Sequence, residues 1–365
     1  MNQKNENGAD SAKGLSAFLK KKNVVFSAKR YFIDAMGAMA NGLFASLLIG
    51  TIISTIGQLT GAEVLQEIGN YAKAVAGPAM AVAIAYALQA PPLVLFSMLA
   101  VGEAANSLGG AGGPLAVLFI AIIATECGKI VSKETKVDII VTPCVTIGTG
   151  VLLSMGCAPY IGQFAKLLGD IVMDATELHP LLMGIIVSVI VGILLTLPIS
   201  SAAICAALGL TGLAGGAAVA GCSAQMIGFA VMSYRENRVG GLVSQGIGTS
   251  MLQMGNIVKN PRIWIPPTLA SAITGPIATC IFGLRMDGAP VSSGMGTCGL
   301  VGQIGVYTGW VDSVANGTKA AVTAMDWIGL VLICFVLPAV LSEIFCLILR
   351  KIGWIKENDL KLNSL

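Results

Sequence analysis

The chain has 365 residues, of which 55% are hydrophobic and 11% charged, and a formal net charge of +3. Its mean hydropathy of +0.82 excludes an ordinary water-soluble domain, and so small a net charge does not suggest nucleic acid as a partner. Ionisable residues gather in short clusters and leave apolar stretches of roughly 18–25 residues, the length an α-helix needs to cross hydrocarbon. An all-α integral membrane protein is expected.

Residues 1–30 are polar, with Lys20, Lys21, Lys22, Lys29 and Arg30, and carry no short apolar core followed by a small-residue cleavage site. They read as a cytoplasmic N-terminal segment and not as a signal peptide. Phe18, Leu19, Val24, Val25 and Phe26 interleave with the lysines, as in a short amphipathic helix on the membrane surface; a solvated tail fits equally well. A transmembrane domain is expected over 31–350, with spans at about 31–58, 72–90, 91–106, 113–128, 137–155, 180–199, 200–219, 221–234, 264–284 and 327–349, so about ten crossings. The glycine-rich pieces at 241–256 and 290–308 look more like re-entrant hairpins than full spans. Residues 351–365 form a cytoplasmic tail.

Orientation follows from lysine and arginine. The N-terminal segment, the loop with Lys129, Lys133 and Lys136, the segment from Arg235 and Arg238 to Lys259 and Arg262, and the tail with Arg350, Lys351, Lys356 and Lys361 should all be cytoplasmic. The acidic connection 156–179 and the 59–72 turn with Glu63 and Glu67 fit the outer face. Asp138–Pro143 leading into Gly148, and Arg262–Pro266 leading into Gly275, look faintly alike; an internal repeat would mark a midplane site, but chance explains the likeness better.

The 45 glycines sit within apolar stretches. Runs such as Gly109–Gly113 and Gly212–Gly216 either pack helices closely or break them, and broken backbone is tolerated at membrane depth only in protein or beside a wet cavity. Polar groups within the bilayer are the best functional pointers, because an ionisable side chain at its centre costs about 2.5–3.5 kcal/mol on insertion scales. Glu103 and Asn106 end a short apolar stretch and face either a cavity or the outer interface. Glu126 has Lys129 as its i,i+3 neighbour, and Glu343 lies two turns from Arg350. The run Gly246–Pro261 alternates glycine with Thr249, Ser250, Gln253 and Asn256; Gly294–Gln303 and Gly221–Met226 repeat the theme with Thr297, Gln303, Ser223 and Gln225. Such uncharged donors and acceptors suit a neutral polyhydroxylated solute, or else bond helices to one another.

Nine cysteines are scattered singly without a CxxC pair, and His179 is the only histidine, so neither a metal site nor a phosphohistidine relay is expected, and no cofactor. No HExxH, GxSxG or Walker sequence is present, and no catalytic residue stands out.

GIGTSMLQMGNIVKNPRIWIPP at 246–267 and GCSAQMIGFAVMSYREN at 221–237 resemble the EIIC-type membrane subunits of the sugar phosphotransferase system, and more closely their stand-alone PfoR-like branch of toxin regulators. The likeness runs from about residue 30 to 350. It implies a multi-pass protein of the bacterial cytoplasmic membrane, commonly a homodimer, that carries a sugar inward for phosphorylation by a separate EIIB protein served by EIIA. Against the fructose-type pattern GITEGAIPFAAKDP, the Lys259-Asn260-Pro261 end matches with Asn for Asp, and the acidic position falls on or near Met251. Against VNKAAY, Gln225 stands where a lysine would. Both changes replace charge with neutral polarity. The expected solute-binding residues are Gln225, Ser250, Gln253, Asn256 and Gln303, with Glu103 and Asn106 beside them. The leading expectation is an EIIC-like transporter subunit for a small polar, sugar-like solute; the alternative is a membrane sensor that regulates gene expression on the same scaffold.

Overall fold

In the computed structural model, which describes residues 17–362, the chain is helical almost throughout. Among the described residues, five stretches are long and apolar enough to cross a bilayer: Arg30–Gln58, Pro92–Val131, Asp138–Thr176, Gly212–Met232 and Ala324–Lys351. Ala76–Ala87 and Pro180–Thr196 are shorter apolar helices. The protein is a multi-pass helical membrane protein.

Helix α1 (Arg30–Gln58) is followed at Gly61 (φ 70) by a reversal into α2 (Glu63–Ala74), which folds back on it. A Cβ at Gly50 would lie 2.7 Å from the Gly69 carbonyl oxygen, so the two backbones touch. The expected turn at 59–72 is thus mostly helix; its charges occupy the exposed side of an amphipathic element. Helix α3 (Ala76–Ala87) then leads to α4 (Pro92–Gly109) and α5 (Gly113–Val131), antiparallel arms joined where Gly110 takes φ 52. Here the glycine run does break the helix, because the reversal needs a left-handed residue.

Helix α6 (Asp138–Thr176) has 39 residues and is about 58 Å long at 1.5 Å per residue, well beyond the roughly 30 Å of hydrocarbon. The sequence reading ended this span near residue 155 and took 156–179 for a connection. Lys166, Asp170 and Asp174 recur every fourth residue and lie exposed on one face, while Ala158, Ala165, Gly169, Val172 and Ala175 are buried on the other. The expected connection is instead the amphipathic end of a helix.

Helix α7 (Pro180–Thr196) descends to a re-entrant turn, and the short α8 (Ser201–Ala207) climbs back. The turn is held by Ser200 N donating to Ala111 O (2.9 Å) and Ser201 Oγ donating to Gly294 O (2.7 Å). Helix α9 (Gly212–Met232) is one unbroken element, not the end of one span and the start of another. Its glycines pack rather than break: a Cβ at Gly216 would collide with the Leu284 carbonyl, and one at Gly221 with the Ser188 carbonyl. So α7, α9 and α12 (Ile265–Pro276) form a tight, largely buried bundle.

Between α9 and α12 lie α10 (Tyr234–Val243), helical turns at 244–253, α11 (Met254–Lys259) and a turn at Pro261–Trp264. A second broken stretch, 290–300, precedes α13 (Val301–Ala315), with Gly296 (φ 52), Gly299 (φ 52) and Leu300 (φ 59) all left-handed. Both glycine-rich pieces are irregular as expected, although 301–315 is a regular helix. Helix α14 (Ala324–Lys351) closes the bundle, and residues 352–362 fold back against α10 and α11.

Candidate functional site

The irregular backbone gathers buried amide and hydroxyl side chains into two neighbouring networks. The first centres on Gln225, fully buried and about 20 Å along α9 from Gly212. Its Oε1 accepts from Trp264 Nε1 (3.0 Å) and Thr196 Oγ1 (3.4 Å), and its Nε2 donates to Thr268 Oγ1 (3.2 Å). Thr196 and Ser250 share a hydrogen bond of 2.8 Å. The end of α7, the Trp264 turn and α12 thus converge on one side chain, and the turn after Gly248 joins them through Thr196. An amide in an apolar interior costs several kcal/mol when unpaired, and this one is paired on both atoms.

The second network lies toward the termini. Gln253 Nε2 donates to Gln245 Oε1 (2.9 Å) and Leu360 O (2.9 Å); Asn256 Nδ2 donates to Gln253 Oε1 (2.8 Å) and Lys361 O (2.9 Å). Asn237 donates to Leu360 O (2.8 Å) and accepts from Leu362 N (2.9 Å). Asn260 Nδ2 donates to Trp354 O and Asp359 Oδ2. These amides read the backbone of the chain's own tail, and Leu360 and Leu362 are buried among them.

The sequence candidates therefore separate. Gln225 and Ser250 share the hub, and Gln253 and Asn256 share the tail-binding network. Gln303 meets α9 on another face, donating to Ser223 Oγ (3.3 Å) with its own Oε1 buried and unpaired. Glu103 is exposed, and Asn106 is half-buried near Gly113 and Gly77; neither joins either network. Glu126 does pair with Lys129 (2.9 Å), both buried, whereas Arg350 pairs with Glu236 (2.7 Å) and leaves Glu343 aside.

Segments 246–256 and 294–303 touch directly, with Thr297 Oγ1 donating to Gly246 O at 2.6 Å. A cavity of about 60 Å3 adjoins the 249–251 turn beside the hub, lined by Thr249, Ser200, Ser201 and apolar groups including Leu195, Met251 and Met295. Ligand pockets begin near 300 Å3, so the hub is closed in this arrangement. A larger cavity of about 300 Å3 adjoins Asn256 on the termini side, between Asp34, Asn41, Tyr86 and Leu362. Sequence reasoning missed Thr196, Trp264 and Thr268 because each looked like an ordinary span residue. Asp34 and Asn41, two helical turns apart on one face, were the available signal for the second cavity.

A family model described as Phosphotransferase system, EIIC matches residues 33–362. Neither a curated protein nor a solved structure matches the chain.

Proposed function

The chain belongs to the EIIC family of the phosphotransferase system, the membrane subunits of sugar transporters, and from that premise we propose that it binds an uncharged sugar at the Gln225 hub and exposes it alternately to the two sides of the bilayer. The observation that carries the reading is the hub itself: Gln225, Thr196, Ser250, Trp264 and Thr268 place neutral donors and acceptors, and no charge, where broken backbone meets inside the helical bundle. Sugar hydroxyls both donate and accept, so they exchange with Thr196, Ser250 and Thr268 around Gln225 without leaving its amide unpaired. Opening requires the 249–253 turn to withdraw from Thr196, which the flanking glycines allow.

Asn256, which lines the 300 Å3 cavity, and Gln253, bonded to it, then stand on the route toward the termini face. The basic clusters on that face make it cytoplasmic, in a bacterial inner membrane. Phosphorylation there by separate EIIB and EIIA proteins, and a homodimeric assembly, complete the reading. Glu103 and Asn106 stand apart from this route, and Gln303 supports α9 through Ser223.

Uptake of radiolabelled sugars into proteoliposomes containing phosphorylated EIIB tests the proposal, with Gln225→Leu as the variant. Loss of two sugar hydrogen bonds of about 1 kcal/mol each lowers uptake roughly 30-fold. Undiminished uptake by a monodisperse Gln225→Leu protein removes the hub from the path. If the wild-type protein takes up no sugar in a broad panel, the transport reading fails.

A further inference from the structure

A cavity of about 520 Å3 lies away from the Gln225 hub and far from the termini. Met325 and Asp326 form part of its wall, and α14 carries the chain from there to Lys351, about 40 Å away at 1.5 Å per residue. That distance exceeds the hydrocarbon thickness, so the cavity opens on the face opposite the tail.

Cations are scarce outside the basic clusters: among the described residues, Lys73, Lys166, Arg285 and Lys319 are the ones that remain. Two of these four line this one cavity, and each meets a carboxylate. Arg285 Nε lies 2.9 Å from Asp287 Oδ2, with Nη2 reaching Oδ1 at 3.3 Å; Lys319 Nζ lies 2.6 Å from Asp326 Oδ1. The same wall carries the indole of Trp310, 5.4 Å from Lys319 Nζ and braced edge-on by Trp327 at 5.5 Å. The walls are fixed before any ligand arrives. The Arg285–Asp287 turn is tied to α9 by reciprocal Gly212–Met286 backbone bonds of 2.9 Å, and Asp326 is held by a capping box with Thr323.

Half-exposed ion pairs add little to stability, so folding alone does not call for this concentration of charge round one cavity. Its chemistry is specific. Two fixed donors and two fixed acceptors, with no net charge, border an aromatic surface in a volume typical of ligand sites. Ring hydroxyls satisfy both members of each pair, while the C–H groups of a sugar ring pack against Phe282 and the small exposed part of Trp310 in the cavity wall. An anion would meet Asp287 and Asp326, and a cation would meet Arg285 and Lys319.

We propose that this cavity is a second, outward-facing binding site for a neutral mono- or disaccharide, which collects the solute before it reaches the hub. The choice of sugar as ligand class rests on the transport reading; the place of the site does not.

Isothermal titration of the full-length, detergent-solubilised protein with glucose, N-acetylglucosamine, maltose and mannitol tests it, with tryptophan fluorescence recorded in parallel. Trp310 is largely buried and its replacement risks the fold, so the main variants are Asp287→Asn and Arg285→Gln on the exposed pair. The expected result is binding of a neutral sugar that Asp287→Asn weakens at least tenfold and that Glu67→Gln, on the exposed side of α2, leaves unchanged. Binding indifferent to Asp287→Asn and Arg285→Gln overturns the site, as does the absence of binding by every neutral sugar. Binding of charged sugar derivatives alone overturns the ligand class. Failure of the transport reading would look different: outer binding intact, with no uptake.

Discussion

Removing residues 354–365 by a stop after Gly353 should release the 244–260 stretch without unfolding the protein. Ile355, Leu360 and Leu362 are nearly fully buried in the docked tail, at 2%, 0% and 4% exposure, and their burial contributes about 5–9 kcal/mol. The four hydrogen bonds that Asn237, Gln253 and Asn256 make with Leu360–Leu362 add about 2–6 kcal/mol net. Ordering the eight residues from Ile355 to Leu362 costs about 8–16 kcal/mol of backbone entropy. Gain and cost cancel to within a few kcal/mol, so docking is reversible on the timescale of local opening. Hydrogen exchange read by mass spectrometry should therefore show tail amides protected by no more than about a thousandfold, far less than those in the buried α9. The truncated chain should exchange at least tenfold faster across 244–260, with a melting temperature within a few degrees of the full chain. Tail amides as slow as those of α9, or a truncated chain that no longer folds, would refute the reasoning.

Gly216→Ala and Gly221→Ala should each abolish a monodisperse peak in fluorescence-detected size exclusion, because the new Cβ overlaps the Leu284 or the Ser188 carbonyl; Gly148→Ala, with open space at its Cβ, should behave as wild type. Lys129→Met leaves the buried Glu126 without a counter-ion, its remaining partner being the Tyr31 hydroxyl (3.2 Å), and should cost about 3–5 kcal/mol in denaturant titration, while the double variant with Glu126→Gln should recover most of it. The Lys22 ammonium hydrogen-bonded to Glu134 (2.5 Å) holds that carboxyl below its usual range. A depressed folded-state value means that the contact contributes fully above the ordinary carboxylate range and is lost as pH falls through the depressed value. Exchange at 17–24 should accordingly rise only on acidification below about pH 4, and Glu134→Gln should remove that dependence.

Where the sequence reading failed, it failed for identifiable reasons. Lys166, Asp170 and Asp174 read as part of an acidic connection at 156–179, yet their spacing of four belongs to a helix with a buried face of Ala165, Gly169 and Val172. Gly109–Gly113 and Gly212–Gly216 look alike as strings, but the first breaks a helix and the second packs one. The difference lies in what faces them: Gly110 must turn the chain back between α4 and α5, whereas Gly216 must admit the Leu284 carbonyl. Gln253 and Asn256 were legible as buried polar residues, but not that their donors face the carbonyls of Leu360 and Lys361.

Hydropathy and the rarity of mid-span charge were enough to make this chain a helical membrane protein, because each apolar stretch must satisfy its own backbone wherever it lies in the bilayer. Local sequence also marked the irregular segments at 246–256 and 294–303, since glycine acts on its own residue. Which polar side chains meet is a property of packing between separate elements, 29 residues apart for Thr196 and Gln225 and 123 for Asn237 and Leu360. Only the tertiary structure could join Gln225 to Thr196, Trp264 and Thr268, close the hub, and set the Arg285 and Lys319 pairs around a cavity on the far face.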